Sequence, residues 1–416
     1  MGKGRVHYGW VVIFTGLLVT IGAHGFGRMS YTLILPAMKE GLGFTYTQLG
    51  LLEMGNFVGY LLMALVGGML AARFGPRRVI ALALVLMALT LAAMGTARAF
   101  GFALAMRTLT GLGNGAAYVP AMALGAAWFS VRLRGLATGI VTAGIGAGTM
   151  IAGLVIPPIL EASGPGGWRY AWYALGGAVL VIAVVAAALL RTSPAEMGLA
   201  PIGADGAGEA PAAPKGARPA PFQWGQVYRQ GRVWYLGFVY FMYGFSYIIY
   251  VTFFVAYLVK QRGLGPAEAG GLWALVGGLS TFCGLLWGGI SDRIGRPRAT
   301  ALAYGVLAFA YTVYALSPAR PGLYLSAVVF GLTAWSVPTI TAAAAGDYVG
   351  PRLAPACLGF ITLFFGIGQA LGPAAGGLLA DRTGGFVLPF LVAAAVSVLG
   401  GLLALRLPRP VSGDLP

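Results

Sequence analysis

Arg28, Glu53 and His24 are ionisable side chains set inside long apolar stretches of a 416-residue chain. An ionised group at the centre of a bilayer costs roughly 2.5–3.5 kcal/mol on insertion scales, so such residues are kept for a task or for each other. A guanidinium holds a carboxylate through two parallel hydrogen bonds, while a carboxyl or imidazole can take up a proton. His24, Arg28 and Tyr31 recur at i, i+4 and i+7, one face of a helix, and Glu53, Asn56 and Tyr60 share a face in the same way. Arg28 lies about nine residues (~13 Å) from one end of its stretch, and Glu53 about seven residues (~10 Å) from the facing end of the next. In a hairpin turning near residue 40 they reach matching depth, which makes Glu53 the natural partner of Arg28. The chemistry on offer is anion binding by Arg28, with Glu53 or His24 accepting a proton. The competing reading is a buried ion pair that fixes two helices, with the histidine satisfied by a backbone carbonyl.

A second group is aromatic. Tyr240, Tyr243, Tyr247, Tyr250 and Tyr257 fall within about a 100° arc at helical pitch. Tyrosine belts at the membrane interface account for the outermost pair. The middle three lie too deep for a belt, and their hydroxyls need partners that a cavity would offer, although aromatic core packing is the alternative. Trp335, with Ser336 and Thr339 beside Pro338, is a further candidate for a cavity wall.

These residues must be positioned by elements that suit lipid. Hydrophobic residues make up 58% of the chain, charged residues only 9%, and the mean hydropathy is +0.82. A soluble domain carries about 25% charge, so there are too few charges here to cover a water-soluble protein of this size. Gly, at 67 residues, is abundant, as close helix packing in lipid requires. With roughly 20 apolar residues per crossing, twelve helices are expected, at about 10–37, 46–72, 78–97, 100–127, 135–160, 168–190, 234–259, 266–291, 298–317, 322–346, 355–380 and 385–406. The first is read as a retained span, too long for a signal peptide. The Pro/Ala/Gly-rich segment 191–232 reads as a linker between halves 1–190 and 233–416. The fold class is therefore an all-α membrane protein of two pseudo-symmetric six-helix bundles.

The net charge of +16 reflects topology rather than nucleic-acid binding. With the N-terminus inside, 18 of the 27 Lys and Arg residues fall on the cytoplasmic side and seven outside, which places both termini and the linker in the cytoplasm. Cys283 and Cys357 lie in separate apolar stretches with no metal spacing. No phosphate loop, metal cluster or catalytic triad is present, so no enzyme, no cofactor and no nucleotide-driven pump is expected.

The two halves repeat. Gly68-Met-Leu-Ala-Ala-Arg73-Phe-Gly75-Pro-Arg77-Arg78 aligns with Gly288-Gly-Ile-Ser-Asp292-Arg293-Ile-Gly295-Arg296-Pro-Arg298, and Gly111-Leu112 with Gly331-Leu332, at an offset near 220. Gly144-Ile-Gly146 then matches Gly366-Ile-Gly368, with the offset drifting by two. This duplicated loop signature resembles the major facilitator superfamily over essentially the whole chain. His7-Tyr8-Gly9-Trp10, Trp128-Phe129 and Arg191-Thr-Ser-Pro-Ala-Glu-Met-Gly-Leu199 look like bacterial monocarboxylate and oxalate/formate porters, and Gly25-Phe-Gly-Arg28-Met-Ser-Tyr31 looks like YbfB/YjiJ-type porters.

The resemblance implies alternating access through a cavity lined by spans one, four, seven and ten. It implies gating by the loop residues Gly68, Arg73, Gly75, Asp292, Arg293 and Gly295, with Ala72 standing where the first copy of the family motif has an Asp. It also implies a coupling or supporting role for Arg107, which shares an arc with Asn114 and Tyr118 on span four. Span eight departs from the monocarboxylate pattern, because Gly270 to Gly289 carries no arginine. Gly368-Gln-Ala-Leu-Gly372 in span eleven has the spacing of the family's antiporter motif, but in the wrong span, so close helix packing explains it better. The expected function is proton-coupled transport of a small, monocarboxylate-like organic anion by a monomer in the bacterial inner membrane. Its substrate-binding residues would be His24, Arg28, Tyr31, Asn114, Tyr118, Tyr243, Tyr247, Tyr250 and Trp335, with Glu53 and Arg107 in coupling. Export of amphipathic or aromatic drugs is the alternative, favoured by the tyrosine face of span seven. A non-transporting sensor would need an output domain, which the chain lacks.

Overall fold

The computed structural model describes residues 7–130, 132–203, 227 and 229–407. The greater part of the expected linker, 204–226, lies outside the described residues, as do Lys3, Arg5 and Arg409. Among the described residues, eleven helical stretches are long and apolar enough to cross a bilayer: Tyr8–Leu42, Tyr46–Phe74, Pro76–Met94, Arg134–Ala162, Gly164–Leu189, Gly231–Lys260, Pro266–Ile294, Arg296–Leu316, Arg320–Gly350, Ala356–Thr383 and Val387–Leu405. The remaining expected span, Phe100–Trp128, is helical over 29 residues, but Arg107, Asn114 and several glycines dilute its apolar character. In chain order these are spans one to twelve, with Phe100–Trp128 as span four. Each expected crossing is present, with ends within a few residues of those read from hydropathy. Spans one and seven are the most enclosed, with 72% and 83% of the residues in an apolar 18-residue stretch of each buried, against 17% in the corresponding stretch of span two. Large apolar side chains such as Leu82 and Leu285 are turned outward, as a lipid-facing surface requires.

The duplicated loops have duplicated geometry. Gly75 and Gly295 both sit at φ +85° ahead of the next helix, a conformation that disfavours any side chain. Pro follows in each case within the first helical turn, where its missing N–H has no intrahelical partner to lose. Spans ten and eleven are divided by Gly350, at φ +77°.

Packing groups the chain into two compact units whose borders fall inside helices. The first takes the described parts of Met1–Ser30, Gly59–Thr149 and Arg169–Pro221, and the second takes those of Tyr31–Val58, Met150–Trp168 and Phe222–Pro416. Inside the first unit, glycines bring span five against span one. A Cβ on Gly144 would stand 2.5 Å from the Leu17 carbonyl oxygen, and one on Gly148 would stand 2.8 Å from the Gly25 Cα. Inside the second, a Cβ on Gly368 would stand 2.5 Å from the Phe241 carbonyl oxygen and one on Gly372 2.7 Å from that of Phe245. The span-eleven glycines are thus a packing surface, as their spacing suggested. Leu17 and Gly144 each precede their counterparts, Phe241 and Gly368, by 224 residues. That register differs from the expected match of Gly144 with Gly366. The reason is that close approach is made by glycines four apart on one helix face, whereas the Gly-Ile-Gly tripeptide is only locally similar.

Candidate functional site

Span one is not a uniform α-helix. It runs α from Tyr8 to Thr20, becomes a π-helix from Ile21 to Met29, and returns to α from Tyr31 to Leu42. The Ser30 N–H reaches back five residues to the Gly25 carbonyl at 3.0 Å, the signature of a π turn. His24 and Arg28 both lie in this widened segment and are 4% and 6% exposed. The α-helical face expected to run from His24 to Tyr31 is therefore interrupted. Tyr31 starts the following α segment, and its hydroxyl donates to the Leu49 carbonyl at 2.8 Å.

Span four supports the π segment. Arg107 is fully buried; its Nη1 donates to the Gly27 carbonyl at 3.0 Å and its guanidinium lies 5.8 Å from the Trp172 ring centre. That hydrogen bond joins span four to the π segment inside the first unit. The His24 ring packs at 4.2 Å on Tyr118 and meets Tyr60 edge-on at 5.7 Å. Gly59 and Gly115 permit this assembly, because a Cβ on either would collide with backbone of the facing helix. His24 Nδ1 and both amide atoms of Asn114, one turn before Tyr118, are buried without a hydrogen-bond partner among the described residues. Buried polar atoms left this way are rare, because each costs the water it has given up. Glu53 and Asn56 are buried in the second unit, at 3% and 0% exposure.

Tyr243, Tyr247 and Tyr250 on span seven are all fully buried. Their hydroxyls find partners in protein rather than in an open cavity. Tyr243 donates to the Ala334 carbonyl, Tyr247 is bonded by the Gln369 amide, and Tyr250 shares a 2.8 Å hydrogen bond with Ser326. Tyr257 donates to the Ala315 carbonyl at 3.1 Å. Trp335 stands edge-on to Tyr247 at 5.9 Å. The role of Gln369 was not foreseen, since its position inside a glycine repeat drew attention to packing alone.

The two duplicated loops differ from each other. In the second copy Arg296 bonds Asp292 at 2.6 Å, Ser291 at 2.7 Å and Asp347 at 2.9 Å, so Arg296 rather than the exposed Arg293 holds Asp292. In the first copy Arg73 is exposed and stacks on its neighbour Phe74, and a Cβ on Gly68 would meet nothing. Ala72 offers no acceptor, and Arg77 donates instead to the Ala187 carbonyl at 2.8 Å.

At the opposite ends of the helices, carboxylates cap helix N-termini within the second unit. Asp381 accepts from the N–H groups of Tyr46 and Thr47 at 2.9 and 2.7 Å and from the Thr47 hydroxyl at 2.6 Å. Glu161 accepts from the Ala267 N–H at 3.2 Å, and Lys260 pairs with Glu40. Such caps satisfy orphan donors and oppose the helix dipole. A cavity of about 160 Å³ here is lined by Leu33, Pro36, Val255, Glu40, Glu161 and Lys260 among others, and by none of the expected site residues.

The chain matches known proteins along its length. It is 27% identical to a probable sulfoacetate transporter of Cupriavidus necator, over 94% of this chain and 91% of that protein. It is 26% identical to an oxalate:formate antiporter of Oxalobacter formigenes, over 92% and 89%. Among solved structures, a bacterial homolog of the human lysosomal transporter Spinster, inward-facing and unoccupied, superposes with a TM-score of 0.78 at 16% identity, covering 97% of each chain. The family model described as Major Facilitator Superfamily matches residues 17–356 and again 282–416. The chain is a multi-pass membrane protein that belongs to the major facilitator superfamily of transporters.

Proposed function

We propose that this transporter moves a small organic anion, monocarboxylate-like in chemistry, across a bacterial cytoplasmic membrane as a monomer with both termini inside. The observation that carries this reading is Arg28, a permanent cation held deep in a π-helical segment whose neighbourhood includes partnerless polar atoms of His24 and Asn114. A π turn is a costly irregularity that recurs at functional sites, and a buried guanidinium suits a carboxylate or sulfonate. The sulfoacetate and oxalate:formate relatives both handle anions by name, which supports the same class.

Arg28 holds the anionic group, and His24, Asn114 and Tyr118 orient it. Tyr31 ties its helix to Leu49 beside that site. Glu53 takes up the coupling proton, and Arg107 keeps the π segment in shape. In the second unit Tyr243, Tyr247, Tyr250 and Trp335 form a candidate aromatic wall. Halves 1–190 and 233–416 exchange access, and the carboxylate-capped end is the shut outer side. The loops at Gly75 and Gly295 gate the cytoplasmic side, the second through Asp292 and Arg296. The tyrosine face that favoured drug export is occupied by internal hydrogen bonds, which weakens that alternative.

A thermal-shift screen of the purified protein against carboxylates, sulfonates, amino acids and cationic drugs tests the substrate class, because a ligand bound only by the folded state raises its Tm. Stabilisation by anions is the expected result. Stabilisation by cations alone would move the assignment to drug export.

A further inference from the structure

Span ten carries a proline at 338, and a proline has no N–H to give the carbonyl four residues earlier. That carbonyl belongs to Ala334. The helix is interrupted there: one segment ends at Thr333, the next starts at Ser336, and Trp335 sits between them at φ −109°, ψ 17°. Backbone groups freed inside a membrane must find partners within the protein. The Tyr243 hydroxyl donates to the Ala334 carbonyl. The Trp287 indole N–H donates to the Leu332 carbonyl at 2.9 Å. The Trp335 N–H turns to the Cys283 sulfur at 3.1 Å. Three side chains, one from span seven and two from span eight, therefore take the places of intrahelical bonds. Tyr243 and Cys283 are fully buried.

We propose that the Ala334–Trp335 break is a hinge held by side chains, with Tyr243 positioning Trp335 by supplying the donor that Pro338 removes. This rests on the reading of Trp335 as part of the aromatic wall, because the hinge is what presents that ring to Tyr247. Tyr243 is then a positioning residue rather than a substrate ligand. Its hydroxyl and the proline form a complementary pair, each needed only because of the other.

The pairing makes a sharp double-mutant test that needs no substrate. Cys283 lies at the break and serves as the reporter, in a Cys357→Ala background that leaves it the sole thiol. N-ethylmaleimide labelling of Cys283, followed by mass spectrometry, should be severalfold faster in Tyr243→Phe than in the parent protein, because the unpartnered carbonyl loosens the break. Adding Pro338→Ala restores the missing N–H and should return labelling to the parental rate. Parental labelling in Tyr243→Phe, or no rescue by Pro338→Ala, would overturn the hinge. If Tyr243→Phe fails to fold, hydrogen exchange on the unmodified protein decides the matter. The Trp335–Thr339 amides should then exchange at least tenfold faster than those of Leu323–Thr333, and equal protection would refute the proposal. Failure of the wall reading shows elsewhere: Trp335→Ala would leave anion-induced stabilisation intact while the labelling pattern held.

Discussion

Spans one and seven occupy equivalent places in the duplicated chain, packed by the same glycine spacing at a constant register of 224 residues, yet they carry different buried polar groups. Span one widens into a π-helix around His24 and Arg28. Span seven stays α-helical from Gly231 to Lys260. In that register Arg28 corresponds to Thr252 and His24 to Ile248, so the two ionisable side chains of the π segment are replaced by neutral ones. The hydroxyls of Tyr243, Tyr247 and Tyr250 are bonded within the second unit, whereas His24, Asn114 and, on span seven itself, Thr252 keep buried atoms without hydrogen-bond partners among the described residues. The same glycine contacts hold a π-helical segment in span one and an α-helical one in span seven, so they fix the approach of the helices and not the helix type. Polar positions are constrained by what they bind, and they diverged. The first half carries the charge chemistry and the second half a tyrosine network.

The comparison breaks first at its shared feature. Gly148→Leu and Gly372→Leu each drive a side chain into the backbone of the facing helix, and each should cost about 3 kcal/mol or more. Both variants should show severe loss of folded protein by size-exclusion chromatography. A benign outcome for one alone would mean that the packing is not equivalent.

The coupling proposal predicts the next largest effect. Glu53→Gln mimics the protonated acid, so anion binding should persist while uptake into proteoliposomes stops responding to an imposed pH gradient. Uptake still driven severalfold by the gradient would remove Glu53 from the coupling role. A smaller effect is expected of Arg107→Gln, whose shorter side chain loses the Gly27 carbonyl. An unmade buried hydrogen bond costs about 1–3 kcal/mol, which should appear as a lower Tm with anion binding weakened rather than abolished. An unchanged Tm would show that Arg107 does not support the π segment.

The smallest effect concerns the gating loops. Asp292→Asn removes one of two carboxylates on Arg296, and Asp292 is 68% exposed, so solvent screening limits the loss to about 0–1 kcal/mol. Thermal stability should barely move, while Asp347→Asn, at 37% exposure on the same arginine, should move it slightly more. A large drop for Asp292→Asn would show that the latch is stronger than its exposure suggests.

Much of this architecture was legible in the residues. Bilayer thickness fixes span length, so apolar runs bounded by Gly-Pro or Arg-Pro loops placed the helix ends closely. Arg28, Glu53 and Arg107 stood out because buried charge is rare enough to notice. What hydropathy cannot register is helix type: Ile21–Met29 has the same apolar content whether α or π. The partners of the span-seven tyrosines were equally hidden. Tyr243 meets a carbonyl 91 residues away, and that carbonyl is available only because Pro338 lies four residues beyond it. Pro338 was visible, but which side chain answers it depends on tertiary packing. Arg107 likewise reaches Gly27 across 80 residues.

The claim at the centre of this account is that the charge on span one, and not its counterpart on span seven, recognises the substrate. Anion-induced thermal shifts measured side by side for the unmodified protein, Arg28→Lys and Thr252→Val test it most directly. An ammonium keeps the charge but loses the two-pronged geometry, so Arg28→Lys should fold and lose at least tenfold in anion affinity, while Thr252→Val keeps it. Undiminished anion stabilisation in Arg28→Lys, or its loss in Thr252→Val alone, would contradict the account.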